Sequence, residues 1–201
     1  VRGPEQVLWN AGWLPNSLVS DIGRTGANTV RILPYYLQAT PTGEPRNSLA
    51  QIEDQIRRGI AAHMLVDVAI DGGRDTSVWL RPEVRALMLK YERWIVVHAM
   101  GESYEPTDAA WATRARTVVS QLRAAGYRMP LYVMSREGGR NLPTLLAKGA
   151  EVVAADPLHN VVLGWQAYWG SNGGYQNAYG MSLDTAFARV AAAAFPIQVG
   201  L

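Results

Sequence analysis

Trp94-Ile-Val-Val-His-Ala99 is a nearly continuous apolar run broken by a single histidine. Such a stretch suits a strand buried on both faces. Before it, Pro82 opens a segment in which Val84, Leu87, Met88 and Tyr91 recur at helical spacing. After it, Trp111, Ala115, Val118, Val119 and Leu122 mark a second helix, stopped by Gly126. A buried strand set between two amphipathic helices is the repeat unit of a parallel α/β sheet.

The same alternation runs outward in both directions. Thr29–Leu33, Met64–Ala69, Leu131–Ser135, Val161–Gln166 and Ile197–Val199 read as further strands, and Val1–Gly3 as the last part of an opening one. Ser48 with Gln51 forms a capping-box pattern ahead of Leu49, Ile52, Ile56 and Ile60. A shorter helix is expected over Leu142–Lys148, and Ser182 is placed to cap one carrying Leu183, Ala186, Phe187, Val190 and Ala194. No linker or low-complexity segment interrupts residues 1–201, which read as one domain. Closed as a barrel, such a chain gathers chemistry at the C-terminal ends of its strands. Those ends carry Arg31, Tyr35 and Tyr36, then Asp67 and Asp71, then Glu102, Arg136 and Glu137, then Gln166, Tyr168 and Trp169, and finally Leu201.

Composition narrows the function classes. The 201 residues are 48% hydrophobic and 18% charged, which is the balance of a packed domain rather than a disordered segment. A net charge of +2 with scattered arginines gives no footprint for nucleic acid. No apolar run approaches the roughly 20 residues of a membrane span. Cysteine is absent, so thiolate metal sites and cysteine nucleophiles are excluded. His63, His98 and His159 lack metal-ligand spacing and read as a helix end, a strand residue and a loop residue. No cofactor is expected.

Several segments resemble glycoside hydrolase family 5, most closely its bacterial β-mannanases. Gly26-Ala-Asn-Thr-Val-Arg-Ile32 resembles the family's second strand, and Trp79-Leu-Arg-Pro-Glu-Val84 a helix start. Ile95 to Glu102 resembles the fourth strand, which in the family ends in Asn-Glu. Ala155-Asp-Pro-Leu-His-Asn160 resembles the loop before strand six, and Phe195-Pro-Ile-Gln-Val-Gly200 the lead-in to strand seven's nucleophile. The resemblance implies a TIM-type (β/α)8 barrel, incomplete as given, from the end of strand 1 through strand 7. It also implies that Glu102 occupies the acid/base position, with Arg31 and Tyr168 retained beside it. Other positions depart from the pattern. Gly101 stands for the asparagine, Ala69 for the strand-three histidine, Gln166 for the strand-six histidine, and Leu201 for the nucleophile.

A retaining glycosidase needs two carboxyl groups about 5–5.5 Å apart. Leucine can neither attack an anomeric carbon nor exchange a proton, and losing a nucleophile costs on the order of 10⁴–10⁶ in rate. No acidic residue follows Asp184. Of Glu137 and Asp71, Glu137 is the better substitute carboxylate for an inverting mechanism, yet Arg136 and Arg140 more simply make it a salt-bridged loop residue. Glu102 is expected to pair with Arg31, and Asp67, a buried charge, to need a structural partner of its own. Tyr35, Tyr36, Tyr104, Tyr168, Trp169, Tyr175 and Tyr179 crowd the same face and suit sugar stacking or a protein interface. Trp94, Trp111 and Trp165 are expected in the core.

Two functions therefore fit. One is a catalytically impaired, glycosidase-like barrel serving as a structural or binding subunit of a larger assembly, its open sheet edge covered by a protein partner. The other is an active β-1,4-mannanase or glucanase using Glu102 as acid/base. The family's habit of secretion, with a start at Val1 that reads as processed, implies an extracytoplasmic location. A β-mannan or β-glucan oligosaccharide is the expected small-molecule partner of an active enzyme or a binding subunit, and a protein partner alone that of a structural one.

Overall fold

The computed structural model describes residues 5–9, 17–37, 46–167 and 180–200. These fall into two compact units. One runs through Ala99 and takes in Ala125–Pro130; the other comprises Met100–Ala124 and the chain from Leu131 onward.

The first unit is built on strands β1 (Glu5–Trp9), β2 (Thr29–Leu33), β3 (Leu65–Val68) and β4 (Ile95–Met100), the last residue of β4 belonging to the second unit. They pair in chain order and all in parallel, with Arg31 in register with Asp67, and Asp67 with Val96. Helices α1 (Ser17–Arg24), α2 (Leu49–Ala61) and α3 (Pro82–Lys90) intervene. The capping box of α2 forms as expected: the Ser48 hydroxyl accepts from the Gln51 N–H, and the Gln51 side chain accepts from the Ser48 N–H. Ile52 and Ile56 are then fully buried, each contributing about 1.5–3 kcal/mol through its apolar area. His63 follows α2 with φ 59°, in the left-handed conformation that ends a helix.

The second unit carries α4 (Asp108–Ala124), β5 (Leu131–Met134), α5 (Leu142–Ala154), β6 (Val161–Gln166), α6 (Leu183–Ala191) and β7 (Ile197–Gly200). Its three strands again pair in parallel and in chain order. Ser182 caps α6, accepting from the Thr185 N–H, and Phe187 meets the edge of the Trp165 ring with centroids 6.0 Å apart. Ahead of β6, buried Asp156 takes both Nε and Nη2 of Arg123, at 2.8 and 2.9 Å. It also accepts the N–H groups of Leu158 and Asn160.

Parallel strands in chain order, with helices between successive strands, place the chain in the α/β class of (β/α) barrels, with seven strands among the described residues where a complete barrel has eight. Several boundaries differ from expectation. The first strand lies at Glu5–Trp9, whereas Val1–Gly3 falls outside the described residues. Glu5 and Gln6 leave it only three apolar residues, too few to stand out. Helix α1 was not anticipated either, being eight residues long with Asp21 and Gly23 inside it. Helix α5 continues six residues past Lys148, because Gly149 sits under Leu163 and Phe195 where a side chain would clash. Ala194 lies beyond the end of α6.

Trp111 and Trp165 are buried, but Trp94 is not. It stands just before β4 and is 49% exposed, having turned out at the strand's N-terminal end. Trp79 takes a core place instead, its carbonyl accepting the Tyr127 hydroxyl at 2.5 Å. No helix among the described residues is long and apolar enough to cross a membrane.

Candidate functional site

In the first unit the strand ends bring three polar side chains together below the surface. Arg31 on β2, Asp67 on β3 and His98 on β4 are 7%, 2% and 2% exposed. The Arg31 Nε–H donates to Asp67 Oδ2 at 2.5 Å, and His98 Nδ1 lies 3.4 Å from the same oxygen. The parallel register dictates this, since Arg31 and Asp67 are directly paired on neighbouring strands. Burial by itself would favour the neutral acid. The Arg31 guanidinium and His98 outweigh it and hold the Asp67 carboxyl well below the usual carboxylate range. Asp67 thus has the structural partner its burial demands. His98 is the member that sequence reasoning did not connect to it.

Asp71 lies just after β3 and is 3% exposed. Its Oδ1 accepts the Tyr36 N–H at 3.1 Å and its Oδ2 the Leu37 N–H at 2.9 Å. Asp71, Gly72 and Gly73 have φ of 50°, 66° and 68°, a left-handed turn that side chains rarely adopt. That conformation persists where surrounding bonds over-determine it, and here the carboxylate clamps the backbone that leaves β2. The Asp-Gly-Gly sequence was the available signal. Asn47 secures the same segment by accepting the Tyr35 N–H at 2.9 Å, and the Tyr36 hydroxyl reaches Glu83 at 3.2 Å. Ala69 is buried at the end of β3.

In the second unit Glu102 follows β4, half-buried, behind a buried Gly101. Ser103 forms an isolated parallel bridge with Arg136, and its carbonyl accepts the Gly138 N–H at 3.2 Å. The loop after β4 therefore rides on the loop after β5. Arg136 is the hub of that joint. Its Nε donates to Asp108 at 2.7 Å and to Thr144 at 3.0 Å, and its Nη1 to Glu137 at 2.7 Å. Glu137 sits at φ 58° and, besides that ion pair, its carbonyl accepts from Arg140 Nε at 3.0 Å.

The other nearby carboxylates are committed in the same way. Burial opposes ionisation of Glu105, but Ser103 and the ion-paired Arg114 outweigh it and leave its carboxyl below the ordinary value. Burial likewise opposes Asp108, and Thr144 and Arg136 prevail. Tyr104 is 69% exposed. Gln166, at the end of β6, donates its N–H to the Gly139 carbonyl at 2.8 Å and lays its amide along Gly139. Tyr168, Trp169, Tyr175, Tyr179 and Leu201 lie outside the described residues. No group of three His, Asp or Glu side chains that could hold a metal ion occurs among the described residues.

Against known proteins, no family model matches the chain and no curated protein matches it. Solved structures do. The β-mannanase from Thermomonospora fusca superposes with a TM-score of 0.76 at 20% identity, over 98% of this chain and 67% of its own. The mannanase catalytic domain from Streptomyces sp. SirexAA-E gives 0.73 at 19%, over 99% and 64%. An endo-β-1,4-glucanase from Xanthomonas axonopodis pv. citri gives 0.58 at 17%, over 84% and 59%. The chain thus spans about two thirds of the length of the mannanases it resembles. At these identities the likeness is one of fold, the mannanase and cellulase type of barrel that the sequence motifs resemble.

Proposed function

We propose that this barrel is a binding module for β-1,4-linked mannan or glucan chains, derived from a glycosidase and impaired in retaining hydrolysis. It would act outside the cytoplasm. What carries the reading is the commitment of the carboxylates around the strand ends. Asp67 is tied to Arg31 and His98, Asp71 to two backbone amides, Glu105 to Arg114, and Asp108 and Glu137 to Arg136. Each of these groups serves the architecture, so none of these described carboxylates is free to complete a catalytic pair with Glu102.

The substitutions around it agree. Gly101 has no side chain with which to hold a sugar hydroxyl, and Leu201 stands where the family resemblance sets the nucleophile. Sugar binding is favoured because the T. fusca β-mannanase of this fold has been crystallised with mannohexaose and with mannotriose. The exposed Tyr104 also follows Glu102 by two residues in the chain.

Two measurements on the 201-residue chain test this. Titration with mannohexaose and cellohexaose, followed by tryptophan fluorescence, should give a saturable change. Hydrolysis of a chromogenic β-mannoside, mannan and cellulose should stay at background. Hydrolysis that Glu102→Gln abolishes would overturn the proposal in favour of an active hydrolase. Absence of any sugar response, with a second chain co-purifying, would favour the structural-subunit role.

A further inference from the structure

Trp94 departs from the other described tryptophans. Trp79, Trp111 and Trp165 are fully buried, yet Trp94 keeps 49% of its surface in water. A single exposed apolar residue is ordinary on a protein surface. This one, however, stands on a fixed seat. The Trp94 N–H donates to the Tyr91 carbonyl at 2.9 Å, and the Trp94 carbonyl accepts the Val66 N–H at 2.9 Å. The backbone is thereby clamped between the end of α3 and strand β3. The indole itself makes no ring contact and no hydrogen bond among the described residues.

The strand register says which row the ring belongs to. Arg31 and Asp67 are paired across β2 and β3, and their side chains meet on one face of the sheet. Thr29 and Leu65 are paired two residues earlier on the same strands. Side chains alternate along a strand, so these two share that face. Val66 pairs with Ile95, which sets Trp94 beside Leu65 as the next member of the row. Thr29 is buried, Leu65 half-buried and Trp94 exposed. The row therefore opens into water at the N-terminal ends of the strands, the end opposite Asp71. Glu92 and Arg93 precede Trp94 directly, both exposed and neither in an ion pair among the described residues.

We infer that a second copy of this chain docks here, about a two-fold axis passing near Trp94. A two-fold contact places the same patch on both sides, so the patch has to complement itself. This one does. Leu65 and Trp94 offer an apolar row that packs on its own counterpart. Glu92 and Arg93 are adjacent and opposite in charge, so each glutamate meets the arginine of the other copy. Tryptophan and arginine are the residue types that carry most interface energy, and here the symmetry uses each of them twice. Because the backbone of Trp94 is already fixed, little order has to be gained on contact. The inference is independent of the sugar-binding reading.

Sedimentation velocity over a concentration series tests it on the 201-residue chain. The variants are Trp94→Ala, Glu92→Arg, Arg93→Glu and the double reversal of Glu92 and Arg93. Wild type should move toward twice the monomer mass as concentration rises. Trp94→Ala should weaken self-association about tenfold or more. The charge variants guard against a folding defect at Trp94, since both side chains are exposed. Each single reversal sets like charges against each other and should weaken the dimer several-fold, and the double reversal should restore it. A wild type that stays monomeric throughout overturns the proposal and leaves this face to a different partner. A dimer that Trp94→Ala leaves intact overturns it too, as does one that the double reversal fails to restore.

Discussion

The loops after β3 and after β4 both end in acidic residues, and they use them in opposite ways. After β3, Asp71 turns inward, 3% exposed, and holds backbone amides; Asp67 just before it neutralises a buried arginine. After β4, Glu102 stays half-buried and its neighbour Tyr104 stands in solvent. In the first case polar chemistry at a strand end is consumed by folding. In the second, Ser103, Arg136 and Arg114 hold the loop, and the Tyr104 side chain is left in solvent. A barrel's catalytic-face position therefore does not tell whether a residue does chemistry; its hydrogen-bond partners do.

The contrast can be broken most forcefully at Asp67. Asp67→Ala leaves Arg31 buried without its carboxylate and should cost about 3–5 kcal/mol, read as a lower urea midpoint at unchanged slope. Asp71→Ala strands two backbone N–H groups and should cost about 2–3 kcal/mol. Asp71→Asn, which tolerates the left-handed turn and keeps an acceptor, should lose less than half of that.

Acid gives a third test. Because the folded-state value of Asp67 lies below that of the unfolded chain, its contribution is complete above the ordinary carboxylate value of about 3.9 and is lost as pH falls below it. Unfolding midpoints measured from pH 7 to pH 2.5 should therefore fall less steeply in Asp67→Asn than in wild type. The smallest effect belongs to the second loop. Tyr104→Ala, at a side chain 69% exposed, should shift stability by no more than about 0.5 kcal/mol; a loss as large as that of Asp67→Ala would mean that both loops spend their side chains on folding alike.

Helices with strong periodicity and caps, such as α2 and α4, were legible because their apolar stripes and end signals agree. Strands β2 and β6 were legible to the residue because both are short apolar runs. Strand β1 was not, since two of its five residues are polar. Asp67's need for a partner followed from its place in an apolar run; that the partner is Arg31, which the sequence reading set against Glu102, is decided by the parallel register of β2 and β3. His98 escaped, because one polar residue inside β4 gives no hint of which neighbouring strand it faces. The positions of Glu102, Glu137 and Gln166 at strand ends were readable. What they touch was not, for that depends on Arg136, whose reach to Asp108 and Thr144 joins residues 28 and 8 positions away.

The Ala155–Asn160 loop leads to a different conclusion, about what the resemblance in sequence means. Its aspartate grips Arg123 with both oxygens and ties down two amides, so it answers to the stability of the α5-to-β6 connection and not to any substrate. A likeness at that loop therefore speaks for what the scaffold needs in order to fold, and is silent on whether sugars are cut.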